Sequence, residues 1–246
     1  MGALSGKGAV VTGGSRGIGR AAVERLARDG AAVTFSYASD GAAATAVEEA
    51  VTAAGGRAQA VHADQADGAQ TTALFDAAES WGGSLDIVVA NAASVTVGLI
   101  ADTTDADWDH AMTVNAKGTF QVIREAARRL RDGGRIITIS SLNTVLPASR
   151  IGLYAAAKGA VEQLTAVAAH ELGARAITAN TVSPGATDTD MLRAANTAQT
   201  LTAVAAMSPL RRLGEPADVA DVVAFLAGPD GRWLTGQNLQ AGGGIR

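Results

Sequence analysis

Short runs rich in Val and Ile alternate with longer Ala- and Leu-rich segments along the chain. Continuous apolar runs of this length are typical of strands in a sheet that helices cover on both faces. The longer segments carry apolar residues at helical spacing, as at Ile18, Ala22 and Leu26, with Gly30 at the helix end. We predict strands at Ala9 to Thr12, Ala32 to Tyr37, Ala58 to Ala63, Leu85 to Ala90, Arg135 to Ser140, Ala176 to Val182 and Gln237 to Ala241.

This alternation predicts an α/β fold, with a single doubly wound Rossmann-type domain over residues 1–246 and a seven-stranded parallel sheet flanked by helices. No Pro- or Ser-rich linker divides the chain. In such a fold the ligand lies beyond the carboxyl ends of the strands. The segment 187–213 interrupts the alternation after the sixth predicted strand, and we expect it to form a helical lid rather than a surface insertion.

Cysteine content and net charge indicate the cellular location and the classes of partner that are excluded. The chain has no cysteine, a net charge of −4 and a pI near 5.4. These values exclude a disulfide framework and a Cys-based zinc site, and they favour a cytoplasmic protein that binds neither nucleic acid nor membrane. The three histidines, His62, His110 and His170, are far apart and lack acidic residues at metal-ligand spacing, so we expect no metal.

A glycine-rich turn separates the first predicted strand from the first predicted helix. Gly13, Gly17 and Gly19 lie in the segment from Thr12 to Gly19. Glycines here allow a tight turn, let backbone N–H groups approach a pyrophosphate and let the helix pack closely on the strand. Because the chain has 29 glycines, it is the strand–turn–helix context that predicts a dinucleotide site.

A serine, a tyrosine and a lysine follow the fifth predicted strand. Tyr154 and Lys158 are one helical turn apart and share a helix face, and Ser141 lies at the strand end. A tyrosine with the usual pKa of about 10 exchanges protons poorly at neutral pH, and a nearby ammonium would lower that pKa. These residue types are therefore suited to exchange a proton with a carbonyl or alcohol oxygen.

With these motifs in this order, the sequence resembles the short-chain dehydrogenase/reductase family over essentially its whole length. The resemblance implies that Ser141 hydrogen-bonds the substrate oxygen, that Tyr154 donates or accepts the proton, and that Asn115 helps to hold a water in a proton relay behind Lys158. The hydride belongs to the cofactor. The chain departs from the family at 90–93, where Ala-Asn-Ala-Ala replaces the common Asn-Asn-Ala-Gly, and this leaves the details of nicotinamide contact open.

The expected cofactor is NADP(H), with NAD(H) as the other possibility. Tyr37 stands at the end of the second predicted strand, where an NAD-specific site has an acid. Arg16 and Ser39 can reach a 2′-phosphate, Asp40 is expected to face solvent, and Asp64 accepts from the adenine unless it only caps the next helix. The expected cofactor-binding residues are Gly13, Ser15, Arg16, Gly17, Ile18, Gly19, Tyr37, Ala38, Ser39, Asp64, Gln65, Asn91, Ala92, Tyr154, Lys158, Pro184, Gly185, Thr187 and Thr189, and the expected catalytic residues are Asn115, Ser141, Tyr154 and Lys158.

We predict an NADPH-dependent oxidoreductase that interconverts a ketone and a secondary alcohol. One alternative is a 3-oxoacyl-carrier-protein reductase, in which Arg128, Arg129 and Arg131 meet an acidic carrier, although the helix dipole also favours cations at a helix end. An enoyl reductase on this scaffold would be expected to show a longer spacing from tyrosine to lysine. A non-catalytic dinucleotide-binding sensor would need no proton donor.

The substrate and the assembly are less sharply defined by the sequence. The expected pocket walls after the fourth predicted strand, before Tyr154 and in the lid are mostly apolar, which suits a small aliphatic or alicyclic ketone. The predicted helix from Gly152 to Gly173 has more apolar positions than one buried stripe requires. A second face of that helix therefore predicts a homodimer or homotetramer.

Overall fold

The computed structural model describes residues 2–245, and its core is one parallel β-sheet. The strands are β1 (Gly8–Val11), β2 (Ala32–Tyr37), β3 (Arg57–His62), β4 (Ile87–Ala90), β5 (Arg135–Ile139), β6 (Thr178–Pro184) and β7 (Asn238–Ala241). They form a 7-stranded sheet in the order β3-β2-β1-β4-β5-β6-β7. The predicted doubly wound Rossmann-type fold is confirmed.

The α-helices of the described residues fill the connections between strands. They are α1 (Gly17–Arg28), α2 (Gly41–Ala53), α3 (Gly68–Gly82), α4 (Asp105–Ala111), α5 (Gly118–Arg129), α6 (Gly152–Leu172), α7 (Asp190–Ala194), α8 (Ala198–Met207) and α9 (Pro216–Ala227). A π-helical segment, Met112–Lys117, joins α4 to α5. Within residues 2–245, no helix combines the length and the apolar character needed to cross a bilayer.

The sheet separates two hydrophobic layers. On one face, Leu26 of α1 and Val223 of α9 pack against the strands, and on the other face Phe75 of α3 does so. Val10 and Val11 are neighbours in β1 but belong to opposite layers, because successive side chains of a strand point to opposite faces. Burial on both faces explains why the strands appear in the sequence as continuous apolar runs.

The strand order reverses between β1 and β4. From β1 the chain builds outward to β2 and β3, and it then crosses back to place β4 on the other side of β1. The connections after β1 and β4 therefore diverge and leave a crevice at the carboxyl ends of these strands. This crevice positions the candidate site described below.

The largest shift between predicted and observed strand ends is in β6, which spans Thr178–Pro184 rather than the predicted Ala176 to Val182. Ala176 has a φ of 53° in the left-handed region, a conformation that strand residues do not adopt. The turn at Ala176 therefore delays the start of the strand. Because β6 also ends later than predicted, its pairing with β7 extends to Pro184.

The amino-terminal edge of the sheet is held by a buried carboxylate. Asp86, at 5% exposure, accepts hydrogen bonds from Lys7 Nζ (3.0 Å), the Gly8 N–H (3.0 Å), Ser84 Oγ (2.9 Å) and Arg131 Nη2 (2.6 Å). Burial opposes ionisation of Asp86, but the hydrogen bonds from Arg131 and its other donors prevail and lower its pKa. This cluster lies at the edge of the sheet opposite the crevice.

The segment 187–213 contains α7 and α8 and is helical, as the sequence predicts. A β-bridge between Thr187 and Gly214 closes its base, with hydrogen bonds from the Asp188 N–H to Gly214 O (2.8 Å) and from the Gly214 N–H to Ala186 O (2.9 Å). No residue of α7 or α8 is buried. The segment is therefore anchored at its base, and its helices take no part in the core.

Candidate active site

The glycine turn adopts backbone conformations that explain its glycines. Gly13 and Gly17 have φ values of 67° and 55°. A Cβ added to Gly19 would lie 2.1 Å from the carbonyl oxygen of Gly13, so α1 packs directly on the turn. Any side chain at Gly19 would push the helix N-terminus away from the crevice.

Two side chains tie the turn to the end of β4. The amide of Asn91 donates to the carbonyl oxygens of Thr12 (2.9 Å) and Gly13 (3.1 Å). In return, the Thr12 hydroxyl accepts from the N–H groups of Asn91 and Ala92, both at 3.0 Å. Asn91 thus shapes the turn through its side chain, and Ala92 does so through its backbone. The Thr12 contribution was not among the predicted site residues.

Lys158 is buried at the carboxyl end of β5. Its exposure is 2%, and its ammonium donates to the carbonyl oxygen of Ile139 at 2.7 Å. Burial lowers the pKa of Lys158 to about 8. The ammonium lies 5.7 Å from the centroid of the Tyr154 ring, so α6 brings the two side chains together as predicted from their spacing.

The electrostatics of Tyr154 differ from the expectation that Lys158 lowers its pKa. Burial raises the pKa of the Tyr154 phenol, and the hydrogen bond with Ser141 offsets only part of that rise. The reason is that the ammonium reaches Ile139 rather than the phenol oxygen. The protein alone therefore favours the protonated tyrosine, the form that donates a proton.

Ser141 both caps a helix and faces Tyr154. It is the N-cap of a short 3₁₀ helix, Leu142–Thr144, and its hydroxyl accepts from the Asn143 N–H at 3.2 Å. The same side chain is close enough to the Tyr154 phenol to lower its pKa. The capping interaction orients the Ser141 hydroxyl and leaves its proton available to an oxygen acceptor in the crevice.

Asn115 is fully buried in the π-helical segment. Its Oδ1 accepts from the Ser94 N–H (2.9 Å), and its Nδ2 donates to the carbonyl oxygens of Ser94 (3.0 Å) and Ala111 (3.0 Å). Both amide hydrogens are thus committed to backbone oxygens. The side chain therefore clamps the loop after β4, and the expected role of Asn115 in holding a relay water stays a prediction.

Gln65, an expected cofactor-binding residue, has its side chain engaged within the protein. It is buried at 6% exposure, and its Nε2 donates to the carbonyl oxygens of Ala92 and Val114, both at 3.1 Å. Its side chain therefore joins the loop after β4 to the π-helical segment, and its role towards the cofactor stays a prediction. Gln65 and Asn115 together hold this loop, which has alanine at 90 and 93 where asparagine and glycine are common.

The carboxyl end of β2 carries the residues expected at a 2′-phosphate. Arg16, Ala38 and Ser39 are exposed there, beside Tyr37. No carboxylate among residues 2–245 forms an ion pair with Arg16. Asp40 turns away to cap α2, where its side chain accepts from the Ala43 N–H at 2.9 Å. Asp40 faces solvent, as predicted.

The remaining cofactor candidates border the same crevice or its rim. Asp64 is exposed after β3 and accepts from the Ala66 N–H at 2.9 Å, while Asp67 rather than Asp64 caps α3. A Cβ on Gly17 would lie 3.2 Å from the methyl group of Thr189, so the start of α7 faces the glycine turn. Ser15 and Ile18 belong to that turn, whereas Pro184, Gly185 and Thr187 form the connection from β6 to the Thr187–Gly214 bridge.

The residues present fit a dinucleotide phosphate. The first turn of α1 has no acidic residue, its backbone N–H groups face the crevice, and the glycines leave no side chain in the way. Arg16 adds an unpaired cation at the 2′-phosphate end, and Lys158 adds a buried one beside Tyr154. Among residues 2–245, no three His, Asp or Glu side chains cluster as metal ligands.

Glu162 lies close to the candidate catalytic residues but was not among the predicted site residues. This residue follows Lys158 by one turn of α6 and accepts hydroxyl hydrogen bonds from Ser140 and Thr144, both at 2.7 Å. Helical spacing from Lys158 places Glu162 on the catalytic face, and that signal was available in the sequence. The identity of its partners required the tertiary structure.

Known proteins resemble this chain over its full length. A family model described as "Enoyl-(Acyl carrier protein) reductase" matches residues 13–246. An uncharacterized oxidoreductase of Methylorubrum extorquens is 42% identical over 248 residues, covering 100% of both chains. A Burkholderia cenocepacia short chain dehydrogenase in complex with NADP has a TM-score of 0.93 and 40% identity, covering 98% of each chain. The angucycline C-6 ketoreductase LanV with bound NADP has a TM-score of 0.94 and 39% identity, covering 99% of this chain and 97% of its own.

Replacing Lys158 with Met should stabilise the ligand-free protein while abolishing its chemistry. A buried ammonium whose pKa is about 8 is unfavourable at neutral pH, so we expect Lys158→Met to raise the free energy of unfolding by about 1–3 kcal/mol. The folded pKa is lowered, so the wild type gains stability as the pH rises from about 8 towards the unfolded value of about 10.4. The free energies of unfolding of Lys158→Met and of the wild type should therefore become more similar as the pH rises through this range.

Urea unfolding at pH 7 and pH 9.5 measures this difference. Lys117→Met is the matched control, because Lys117 is exposed and its replacement should change stability little at either pH. A Lys158→Met protein that is less stable than the wild type at pH 7 would contradict the expectation.

Proposed function

Because the chain belongs to the short-chain dehydrogenase/reductase family and is thus an NAD(P)-dependent oxidoreductase, we propose that it interconverts a ketone and a secondary alcohol with NADP(H). One observation carries the proposal: Tyr154 lies beside the buried ammonium of Lys158, and Ser141 is close enough to the Tyr154 phenol to lower its pKa. All three side chains lie where β5 and α6 approach the crevice. A protein that only bound a dinucleotide would have no use for this proton-donating group.

In the proposed reaction, Ser141 donates a hydrogen bond to the carbonyl oxygen and Tyr154 transfers its proton to the same oxygen. The reduced nicotinamide, when bound, supplies the hydride to the carbonyl carbon. Lys158 stabilises the tyrosinate that remains and donates to the cofactor ribose with hydrogens that Ile139 does not use. Asn115 supports this arrangement by fixing the Ser94 loop, and a relay water would contact the Asn115 oxygen or backbone.

The end of β2 supports NADPH over NADH. Tyr37 stands where an acid would accept the ribose hydroxyls of NAD and repel a 2′-phosphate. Arg16 is exposed and unpaired among the described residues, and Ser39 offers a second donor. Two similar solved structures, the Burkholderia cenocepacia dehydrogenase and LanV, contain NADP.

A small apolar ketone suits the surroundings of the site. Val97, Val145 and Met191 are among the exposed apolar side chains on the segments that flank Tyr154, and we propose that 187–213 acts as a lid over them. LanV, a similar protein, is described as a ketoreductase of an angucycline, a further indication of carbonyl substrates. The short spacing between Tyr154 and Lys158 favours carbonyl over enoyl reduction.

Two of the three arginines that suggested an acyl carrier partner are engaged within the protein. Arg129 forms ion pairs with Asp76 (2.6 Å), Glu79 (3.0 Å) and Glu125 (2.9 Å), and Arg131 belongs to the Asp86 cluster. Arg128 is largely exposed, 3.5 Å from Glu125. All three lie at or just after the end of α5, next to the Asp86 cluster at the amino-terminal end of the strands and away from Tyr154, which favours a free small molecule over a carrier. The cytoplasmic location stays a prediction from composition.

Tyr154→Phe should abolish turnover and leave cofactor binding nearly intact. Removing the proton donor is expected to lower kcat for reduction of a simple ketone by roughly 10²- to 10⁴-fold. Glu171→Ala, which changes an exposed residue of the same helix far from Tyr154, is the control and should retain most of kcat. Nicotinamide absorbance gives the rate, and fluorescence titration gives the Kd for NADPH. Retention of more than about a tenth of the activity by Tyr154→Phe would refute the role of Tyr154.

Arg16→Ala should reduce the preference for NADPH. A hydrogen bond to a charged group contributes about 1.5–3 kcal/mol, so the ratio of kcat/KM for NADPH to that for NADH should fall roughly ten- to a hundredfold. Tyr37→Asp should also lower this ratio, because the new carboxylate would repel the 2′-phosphate of NADPH. Arg20→Ala is the control, since Arg20 is paired with Glu24 at 2.7 Å one turn further along α1. Equal or better use of NADH by the wild type, or an unchanged ratio in both variants, would contradict the assignment.

We also propose that α5 and α6 form an interface between copies of the chain. Phe120 of α5 and Val167 of α6 remain 42% and 53% exposed. Light scattering should give the mass of a dimer or tetramer, and Val167→Arg should lower it because a charge would be buried. Glu49→Arg, on the exposed face of α2, should leave the mass unchanged. A wild-type monomer at micromolar concentration would exclude the interface.

A further inference from the structure

The Ser141 turn is held on one side by β6. Its internal hydrogen bonds are local, from the Asn143 N–H to Ser141 Oγ (3.2 Å) and from the Thr144 N–H to Ser141 O (3.2 Å). At its start, the Ser140 N–H donates to Val182 O at 2.8 Å, and the buried Leu142 lies next to Gly185 and Gly242. These contacts place the turn relative to β6, whereas α6, which carries Tyr154, contacts the turn through Glu162.

Glu162 supplies this interaction through a single carboxylate oxygen. Glu162 Oε1 accepts hydrogen bonds from the hydroxyls of Ser140 and Thr144, both at 2.7 Å. The Ser183 hydroxyl lies 3.4 Å from the same oxygen but donates to Asn238 Oδ1 at 2.7 Å. Ser140 and Thr144 bracket Ser141 in sequence, one before it and the other three residues after it. Ser183 lies near the end of β6. One side chain of α6 therefore holds the residues on both sides of Ser141.

The chemistry of the cluster defines its geometry. An ionised carboxylate only accepts hydrogen bonds, so the hydroxyl protons of Ser140 and Thr144 point towards Glu162. Hydrogen bonds to a charged acceptor are shorter and stronger than those between neutral groups, as the two 2.7 Å distances indicate. Glu162 is also one helical turn from Lys158 and two turns from Tyr154, so a shift of the turn relative to Glu162 is a shift relative to both.

We propose that Glu162 is a positioning residue that holds the Ser141 turn at the correct distance from Tyr154, through its hydrogen bonds with Ser140 and Thr144. Its effect is geometric and depends on acceptance of the two hydroxyl protons. The proposal rests on the proton-transfer role given above to Ser141 and Tyr154. It adds a residue that touches neither substrate nor cofactor.

The test compares Glu162→Ala, Glu162→Gln and the control Glu171→Ala, which removes an exposed glutamate from the same helix. Loss of the cluster lets the Ser141 turn shift, and misplacement of a reacting group by about 1 Å costs up to about 10²-fold, so kcat of Glu162→Ala should fall about 10- to 100-fold. The Kd for NADPH and the KM should stay within about threefold. Glu162→Gln retains an oxygen that accepts both hydroxyls and should recover kcat to within about fivefold of the wild type.

A spectroscopic readout separates this proposal from the proposed enzyme function. In a Tyr37→Phe background, Tyr154 is the one remaining tyrosine of the chain, and its ultraviolet titration reports the phenol pKa directly. Because the Ser141 hydrogen bond lowers that pKa, Glu162→Ala should raise it, while Glu162→Gln and Glu171→Ala should not. This measurement needs no substrate, so it tests the role of Glu162 even if the protein turns over no ketone.

Three results would overturn the proposal. The first is a folded Glu162→Ala protein with kcat within about twofold of wild type and an unchanged Tyr154 titration. The second is a Glu162→Gln protein as impaired as Glu162→Ala, which would assign the effect to charge. Should Glu162→Ala fail to fold, Thr144→Val removes one hydroxyl from the same cluster, and the third result would be an unchanged kcat and titration in that variant.

Discussion

The ammonium of Lys158 is the constraint on which the rest of the site depends. A cation at 2% exposure is stable only with a polar partner, and the Ile139 carbonyl provides one at 2.7 Å. That contact requires α6 to lie directly against the end of β5, which in turn brings Tyr154 towards Ser141. Below it, the hydroxyls of Thr138 and Thr165 join the strand and the helix at 2.8 Å. The helix is therefore held on the sheet by polar contacts as well as by apolar packing.

On the other side of the crevice, side-chain carboxamides hold the loops in place through hydrogen bonds. Asn91 binds the glycine turn, while Gln65 and Asn115 clamp the loop after β4 and the π-helical segment. A carboxamide both donates and accepts, so it can satisfy backbone groups that the irregular loops leave without partners. The pair formed by Gln65 and Asn115 explains how the chain keeps this loop in place with alanine at 90 and 93.

The core and the segment 187–213 differ in how firmly they are held. Ser141, Tyr154 and Lys158 lie on or next to β5 and α6, which pack in the hydrophobic layers of the sheet. No residue of α7 or α8 is buried, and the segment is attached at the Thr187–Gly214 bridge and through the Ser208 hydroxyl, which donates to Gly243 O at 2.9 Å. Helices with so few core contacts are held less firmly than the elements around Tyr154.

The sequence alone determined the strand and helix pattern, the parallel sheet, and the order of Gly13, Ser141, Tyr154 and Lys158. These features follow from local periodicity and from residue types that the chemistry requires. Tertiary structure alone decided where the polar side chains point. The side chains of Gln65 and Asn115 bind backbone groups of the loop after β4 and of the π-helical segment, and Glu162 joins residues that lie about twenty positions away in the chain. A hydrogen bond depends on distance and direction between groups from different elements, and these are set by packing, which periodicity does not encode.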